Sequence, residues 1–221
     1  MKAVYNDGKS GEIIDLLFSE NEWEILSLII EHKDDDIIKK VLISPKDITD
    51  LNIKKNVCHI NKSSDELKNS KNLIDVTPQL FENDQELQKH LSDTGYYTLD
   101  PSLRIKGDSV SDDQGSVDIS HSSGIRILSK IRNYNIEARD GEAGYLDSFI
   151  IDTKVWEIRY MVLNKRTWMH WLHVDEYVMI SPEIITDIDE NVSKIFLLIE
   201  KAVLENSQTY KLDEIIDERY S

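Results

Sequence analysis

The sequence predicts an all-β fold with short helices, arranged as two small antiparallel β-barrels in tandem. Three observations carry that expectation. The chain repeats itself, each copy breaks into short apolar runs, and turn residues punctuate those runs at close spacing. The first copy opens Asp7-Gly8-Lys9-Ser10-Gly11 and continues to Trp23-Glu24-Ile25. The second opens Asp140-Gly141-Glu142-Ala143-Gly144 and continues to Trp156-Glu157-Ile158. Asp140 follows Asp7 by 133 positions (140 − 7), as Trp156 follows Trp23 (156 − 23). Farther on, Val41-Leu42-Ile43-Ser44-Pro45 matches Val178-Met179-Ile180-Ser181-Pro182, and Ile48-Thr49-Asp50 matches Ile185-Thr186-Asp187. The offset is now 137 (178 − 41) and still holds at Asn69-Ser70 against Asn206-Ser207. Four extra residues therefore lie in the second copy, between its Trp strand and its Ser-Pro element.

Taken in order, each copy starts with an Asp-Gly turn, and a second glycine three positions on frees the backbone where a strand begins. Tyr145 to Asp152 is short, apolar and bounded by polar residues, so it reads as a strand. Trp156, Ile158, Tyr160 and Val162 alternate with Glu157, Arg159, Met161 and Leu163, the period of a strand, as do Trp23, Ile25, Ser27 and Ile29 in the first copy. Tyr177 to Ile180 ends at Ser181-Pro182, where proline withholds an N–H from the ladder. Ile184 to Ile188 and Lys194 to Ile199 complete five or six strands. A short helix closes each copy: Glu200 to Asn206 in the second, and in the first a run opened by Ser63 or Ser64 with Asp65 and Glu66 in its first turn. A further helix is expected from Asp84 to Leu91, with Asn83 as cap. The Ser, Asp and Gly of 108–124 mark a flexible linker. The expected division is domain 1 at 1–98, linker at 99–124 and domain 2 at 125–221.

Acidic residues outnumber basic ones 42 to 26, for a formal net charge of -16, which argues against covering a phosphate backbone. Hydrophobic residues make up 40%, enough to exclude wholesale disorder. Cys58 is the sole cysteine, so an intramolecular disulfide and a Cys-rich zinc site are both excluded. No apolar run approaches the roughly 20 residues of a membrane span, and no leader-like apolar segment follows Met1. The expectation is a cytoplasmic protein.

At the repeated motifs the sequence resembles the PRC-barrel domain. The likeness rests on the Asp-Gly-x-x-Gly opening, the Trp-x-Ile strand, the Val-x-Ile-Ser-Pro element and the closing Asn-Ser, over about residues 3–70 and 136–207. That domain occurs in the cytoplasmic part of the photosynthetic reaction-centre H subunit and in the ribosome-maturation factor RimM. The resemblance implies a compact antiparallel barrel used for protein contacts, with no catalytic residues to carry over. Nothing here resembles the N-terminal domain of RimM, and no membrane helix precedes the barrels. The first copy has only Lys2 to Asn6 ahead of its Asp-Gly, whereas the second has Ile125 to Ala138. Barrel one is therefore expected to have an incomplete edge.

Chemistry-bearing residues are few. The two Gly pairs lack the strand-then-helix setting of a phosphate loop and read as hairpin turns. Cys58 and His59 are adjacent on a strand and point to opposite faces, which forbids a nucleophile–base pair. In the inserted loop, His170, His173 and Asp175 are the only, weak, candidates for a divalent metal, and the favoured reading there is a long hairpin tip. Trp168 and Trp171 of that loop are the candidate interface anchors. Asp34-Asp35-Asp36 reads as a solvated hairpin tip rather than a cation loop. Arg126, Lys130, Arg132 and Arg139 form a local basic stretch that either touches RNA or, as favoured, pairs with the chain's own acidic excess. The expected function is a non-enzymatic protein-interaction or scaffolding module that forms homo-oligomers, with no cofactor. An RNA- or ribosome-associated factor is the alternative, by analogy with RimM.

Overall fold

The structure, a computed structural model, describes residues 1–34, 37–70, 124–165 and 176–210. They form a mostly β architecture in two mixed sheets. The first copy runs β1 (Lys2–Val4), β2 (Ser10–Ser19), β3 (Ile25–Asp34), β4 (Ile37–Ile43), a 3-10 turn (Pro45–Asp47), β5 (Ile48–Asn52), β6 (Val57–Ile60) and α1 (Ser64–Asn69). After β7 (Ile125–Ile127) and α2 (Leu128–Ile131), the second runs β8 (Asn135–Ala138), β9 (Gly141–Asp152), β10 (Glu157–Lys165) and β11 (Glu176–Ile180). It ends with a 3-10 turn (Pro182–Ile184), β12 (Ile185–Asp189), β13 (Lys194–Leu197) and α3 (Lys201–Glu205).

The duplication survives in the topology. One sheet has the order β4-β3-β2-β1-β6-β5, with β7 also paired to β2, and the other has β11-β10-β9-β8-β13-β12. The expectation of purely antiparallel sheets is corrected: β1 is parallel to β6, and β8 is parallel to β13. The chain leaves the first strand by a hairpin and later returns beside it in the same direction, so one parallel pair lies within each strand order. The expected incomplete edge of the first copy is also corrected. Short as it is, β1 pairs with β2 on one side and β6 on the other, and so lies inside its sheet.

The repeated motifs explain themselves as backbone devices. In both copies the Ser before proline accepts a hydrogen bond from the residue two on, Lys46 N to Ser44 Oγ at 3.0 Å and Glu183 N to Ser181 Oγ at 3.4 Å. Thr49 and Thr186 each donate through Oγ1 to a strand carbonyl, of His59 and Phe196, at 3.2 Å. Ser70 and Ser207 each donate back to the helix, to the carbonyls of Glu66 and Val203, occupying acceptors that a helix end leaves open.

The two tryptophans expected at the start of a strand sit instead in turns, at φ 57 for Trp23 and 59 for Trp156. The alternation expected from Trp156 also breaks, because the β9–β10 register shifts between Ile158 and Tyr160. Ile158, Met161 and Leu163 then face the core, while Tyr160 turns outward at 45% exposure. A bulge re-aims every residue beyond it, and a strict period-2 reading cannot anticipate that.

The described residues group into two compact units whose division passes through β2 and β3. The first comprises Met1–Ile14 and the described part of Leu26–Ile125; the second comprises Asp15–Ile25 and the described part of Arg126–Ser221. The core of the first unit contains Ala3, Tyr5, Ile30, Val41, Ile43, Cys58, Ile60 and Leu67. The core of the second contains Ile136, Leu146, Phe149, Met161, Val178 and Ile195, together with Phe18 and Ile25 from the β2–β3 hairpin. Phe18 stacks on Trp23, with ring centroids 5.6 Å apart, and tilts against Phe149 at 6.4 Å. Reciprocal backbone bonds of 2.7 Å, Ile25 N to Trp156 O and Ile158 N to Trp23 O, flank an antiparallel bridge between Glu24 and Glu157. A hairpin written in the first copy is thus part of the second unit's interior.

Candidate interaction surfaces

The Asp-Gly motif is the first place to look for chemistry, and both copies use it to hold a helix. Asp7 accepts from Ser64 through the backbone N–H at 2.8 Å and the hydroxyl at 2.5 Å. Asp140 accepts from Lys201 N at 2.6 Å. Each carboxylate therefore meets the N–H groups that open the closing helix. The Ser64 hydroxyl, more than any other partner, holds the Asp7 carboxyl down at about 2. With the folded value below the ordinary 3.8, the contact stabilises above about pH 4 and is lost as pH falls toward 2. In an acid titration followed by circular dichroism, Asp7→Asn should remove the pH-dependent stability of that window. Curves that stay parallel to wild type from pH 4 to 2 would show that the carboxylate contributes nothing there.

The second glycine of each motif is a matter of space. A Cβ on Gly11 would lie 2.1 Å from the Tyr5 hydroxyl, and one on Gly144, at φ +125, would lie 2.1 Å from the Asn164 carbonyl oxygen. Above Gly11, the Tyr5 hydroxyl meets His32 Nδ1 at 3.1 Å, both residues being buried. Burial pushes the Tyr5 phenol up to about 12, so it acts as a neutral polar bridge inside the first unit. Cys58 is fully buried and His59 is exposed, on opposite faces of β6. Burial raises the Cys58 thiol to about 11, well away from the thiolate a nucleophile needs.

Trp168, Trp171, His170, His173 and Asp175 lie outside the described residues, as do Asp35, Asp36, the helix expected at 84–91 and nearly all of the linker. Among the described residues, no three His, Cys, Asp or Glu side chains converge as a metal site would require. Of the basic stretch, Arg126 is only 3% exposed; it pairs with Glu20 through Nε and with Glu190 at 2.5 Å, and donates to the Ile188 carbonyl at 2.8 Å. Nothing in the sequence marked this one arginine as interior, because its partners lie 106 and 64 residues away.

The surface that sequence reasoning missed is the outer face of the second sheet. The bulge after Ile158 brings Tyr160 out, directly opposite Ile150 in the β9–β10 register. Two residues on, Val162 and Tyr177 are buried in a separate small cluster with Ile150, Met179 and Tyr210. An exposed tyrosine thus borders an apolar patch on a strand buried on both faces. Tyr210 reaches that patch by forming an isolated antiparallel bridge with Tyr177 of β11. Among the described residues, no helix is long and apolar enough to cross a membrane.

The chain matches no protein-family model, and no curated protein matches it.

Proposed function

We propose that this protein is a tandem PRC-barrel-like interaction module, non-enzymatic and cytoplasmic, that scaffolds protein contacts and associates with itself. The observation that carries the reading is the use made of the repeated residues. Asp7 and Asp140, Gly11 and Gly144, Thr49 and Thr186 are all engaged in backbone contacts or close approaches, so the duplicated motif supports architecture rather than a reaction. What the chain then offers is surface, and Tyr160, opposite Ile150, is its aromatic focus. Tyrosine at such a place supplies contact area with few rotamers to freeze.

Affinity capture from the native cell extract tests this directly. Wild type should retain a defined protein partner, and Tyr160→Asp should lose it while keeping the wild-type unfolding midpoint. A partner retained equally by both forms would remove the outer face of the second sheet from the proposal.

A further inference from the structure

The C-terminal segment meets β11 in a way that assigns it a second purpose. β11 is the outermost strand of its sheet. Tyr177 N donates to Tyr210 O at 3.2 Å and Tyr210 N donates to Tyr177 O at 2.9 Å, so the backbone of Tyr177 faces away from β10. The β10–β11 register runs without a shift from Met161↔Ile180 to Lys165↔Glu176. Backbone groups alternate along a strand, so Met179 also presents its N–H and C=O outward. Neither group has a partner among the described residues. Among the described residues, the edge of β11 therefore has one position covered by Tyr210 and one that is open.

We propose that the segment Gln208–Tyr210 is a latch on this edge, and that lifting it lets β11 pair with β11 of a second copy of the chain. The inference rests on the reading of the protein as a self-associating module and specifies where and under what control association occurs. The strand is self-complementary. In an antiparallel pairing centred on Val178, Tyr177 meets Met179 of the other copy twice over, and both outward-facing positions are filled by four backbone hydrogen bonds. Glu176 then lies opposite Ile180 and not opposite its own equivalent, which spares a like-charge contact. The side chains of Ile150, Val162 and Met179 form an apolar strip beside the new seam, part of which Tyr210 now covers. Such a pairing is isologous and closes at two copies. Unguarded edges of this kind are where sheets join, and covering them with a loop is one of the ways proteins prevent it.

Sedimentation of two unlatched forms provides the test. One ends at Ser207, which keeps the hydroxyl that closes α3; the other is the full chain carrying Tyr210→Pro, which lacks the N–H donated to Tyr177. Each should show a mass rising toward about twice that of one chain at concentrations where wild type does not rise. Because each copy carries a net charge of -16, added salt should strengthen the association. Adding Met179→Pro to either form should abolish it, since an edge proline removes the outward N–H. Should that variant fold poorly, amide exchange at Met179 decides instead: the amide should become protected as the mass rises. Unlatched forms with the same mass as wild type would overturn the latch, as would a dimer in which Met179 stays unprotected. Capture of a partner through Tyr160 does not bear on these masses, so the two proposals fail separately.

Discussion

Phe18→Ala should cost about 3–5 kcal/mol, the range for removing a fully buried aromatic ring, and the loss should fall on the second unit although the residue is written in the first copy. Phe18 is 0% exposed, and its neighbours are Trp23 and Phe149. Removing the ring leaves a cavity between the hairpin and β9 that Trp23 cannot close. Its backbone is held in the turn at φ 57 and its carbonyl is bonded to Ile158 N. Native-state amide exchange resolves where the cost lands. Protection should drop in β9, β10 and β13 and stay near wild type in β1 and β6, whose core includes Ala3 and Cys58. Exchange that quickens in β1 and β6 while β9 and β10 are unchanged would return Phe18 to the first unit.

That residue also shows how far the sequence could be read. The duplication was legible because its markers are local: Asp-Gly turns, Ser-Pro stops and the Asn-Ser ends each act within a few residues of themselves. Their matching use in both copies, down to φ 55 at Asn56 and φ 52 at Ser193, follows from the same local chemistry. The short helix opened by Ser63 or Ser64 was readable for the same reason, and the structure makes Ser63 the cap, in a capping box with Glu66. Three things were not legible. The parallel pairing of β1 with β6 depends on where the chain returns after more than fifty residues, and no turn signal encodes that. The bulge between Ile158 and Tyr160 breaks the alternation expected from Trp156, so that Ile158 shares the core with Met161 and Leu163. The allotment of Asp15–Ile25 to the second unit goes with the bridge between Glu24 and Glu157, two positions the repeat makes equivalent and therefore cannot distinguish. The outer apolar face followed from the bulge, so it was hidden with it.

The same hairpin explains why Arg126→Ala should cost about 3 kcal/mol, the low end for breaking a buried ion pair. The guanidinium is 3% exposed and holds three acceptors at once: the Glu20 and Glu190 carboxylates and the Ile188 carbonyl. Glu190, at 53% exposure, is resolvated readily when its partner goes and contributes little. Glu20, at 21%, is not, and the Ile188 carbonyl loses its charged donor. Arg126→Lys should recover only part of the loss, because a single ammonium cannot span the three acceptors as the planar fork does. Urea unfolding at low and high salt separates this from a surface pair: the deficit should persist in high salt, since buried charges are screened little. A deficit below about 1 kcal/mol, or one erased by salt, would make Arg126 an ordinary surface cation. Glu20 and Phe18 belong to one hairpin, so the two losses should not add. Once Phe18→Ala has loosened the hairpin, Glu20 is already partly freed, and removing Arg126 should cost less than in wild type. A double-mutant cycle with strictly additive losses would mean that ring and guanidinium hold independent parts of the second unit.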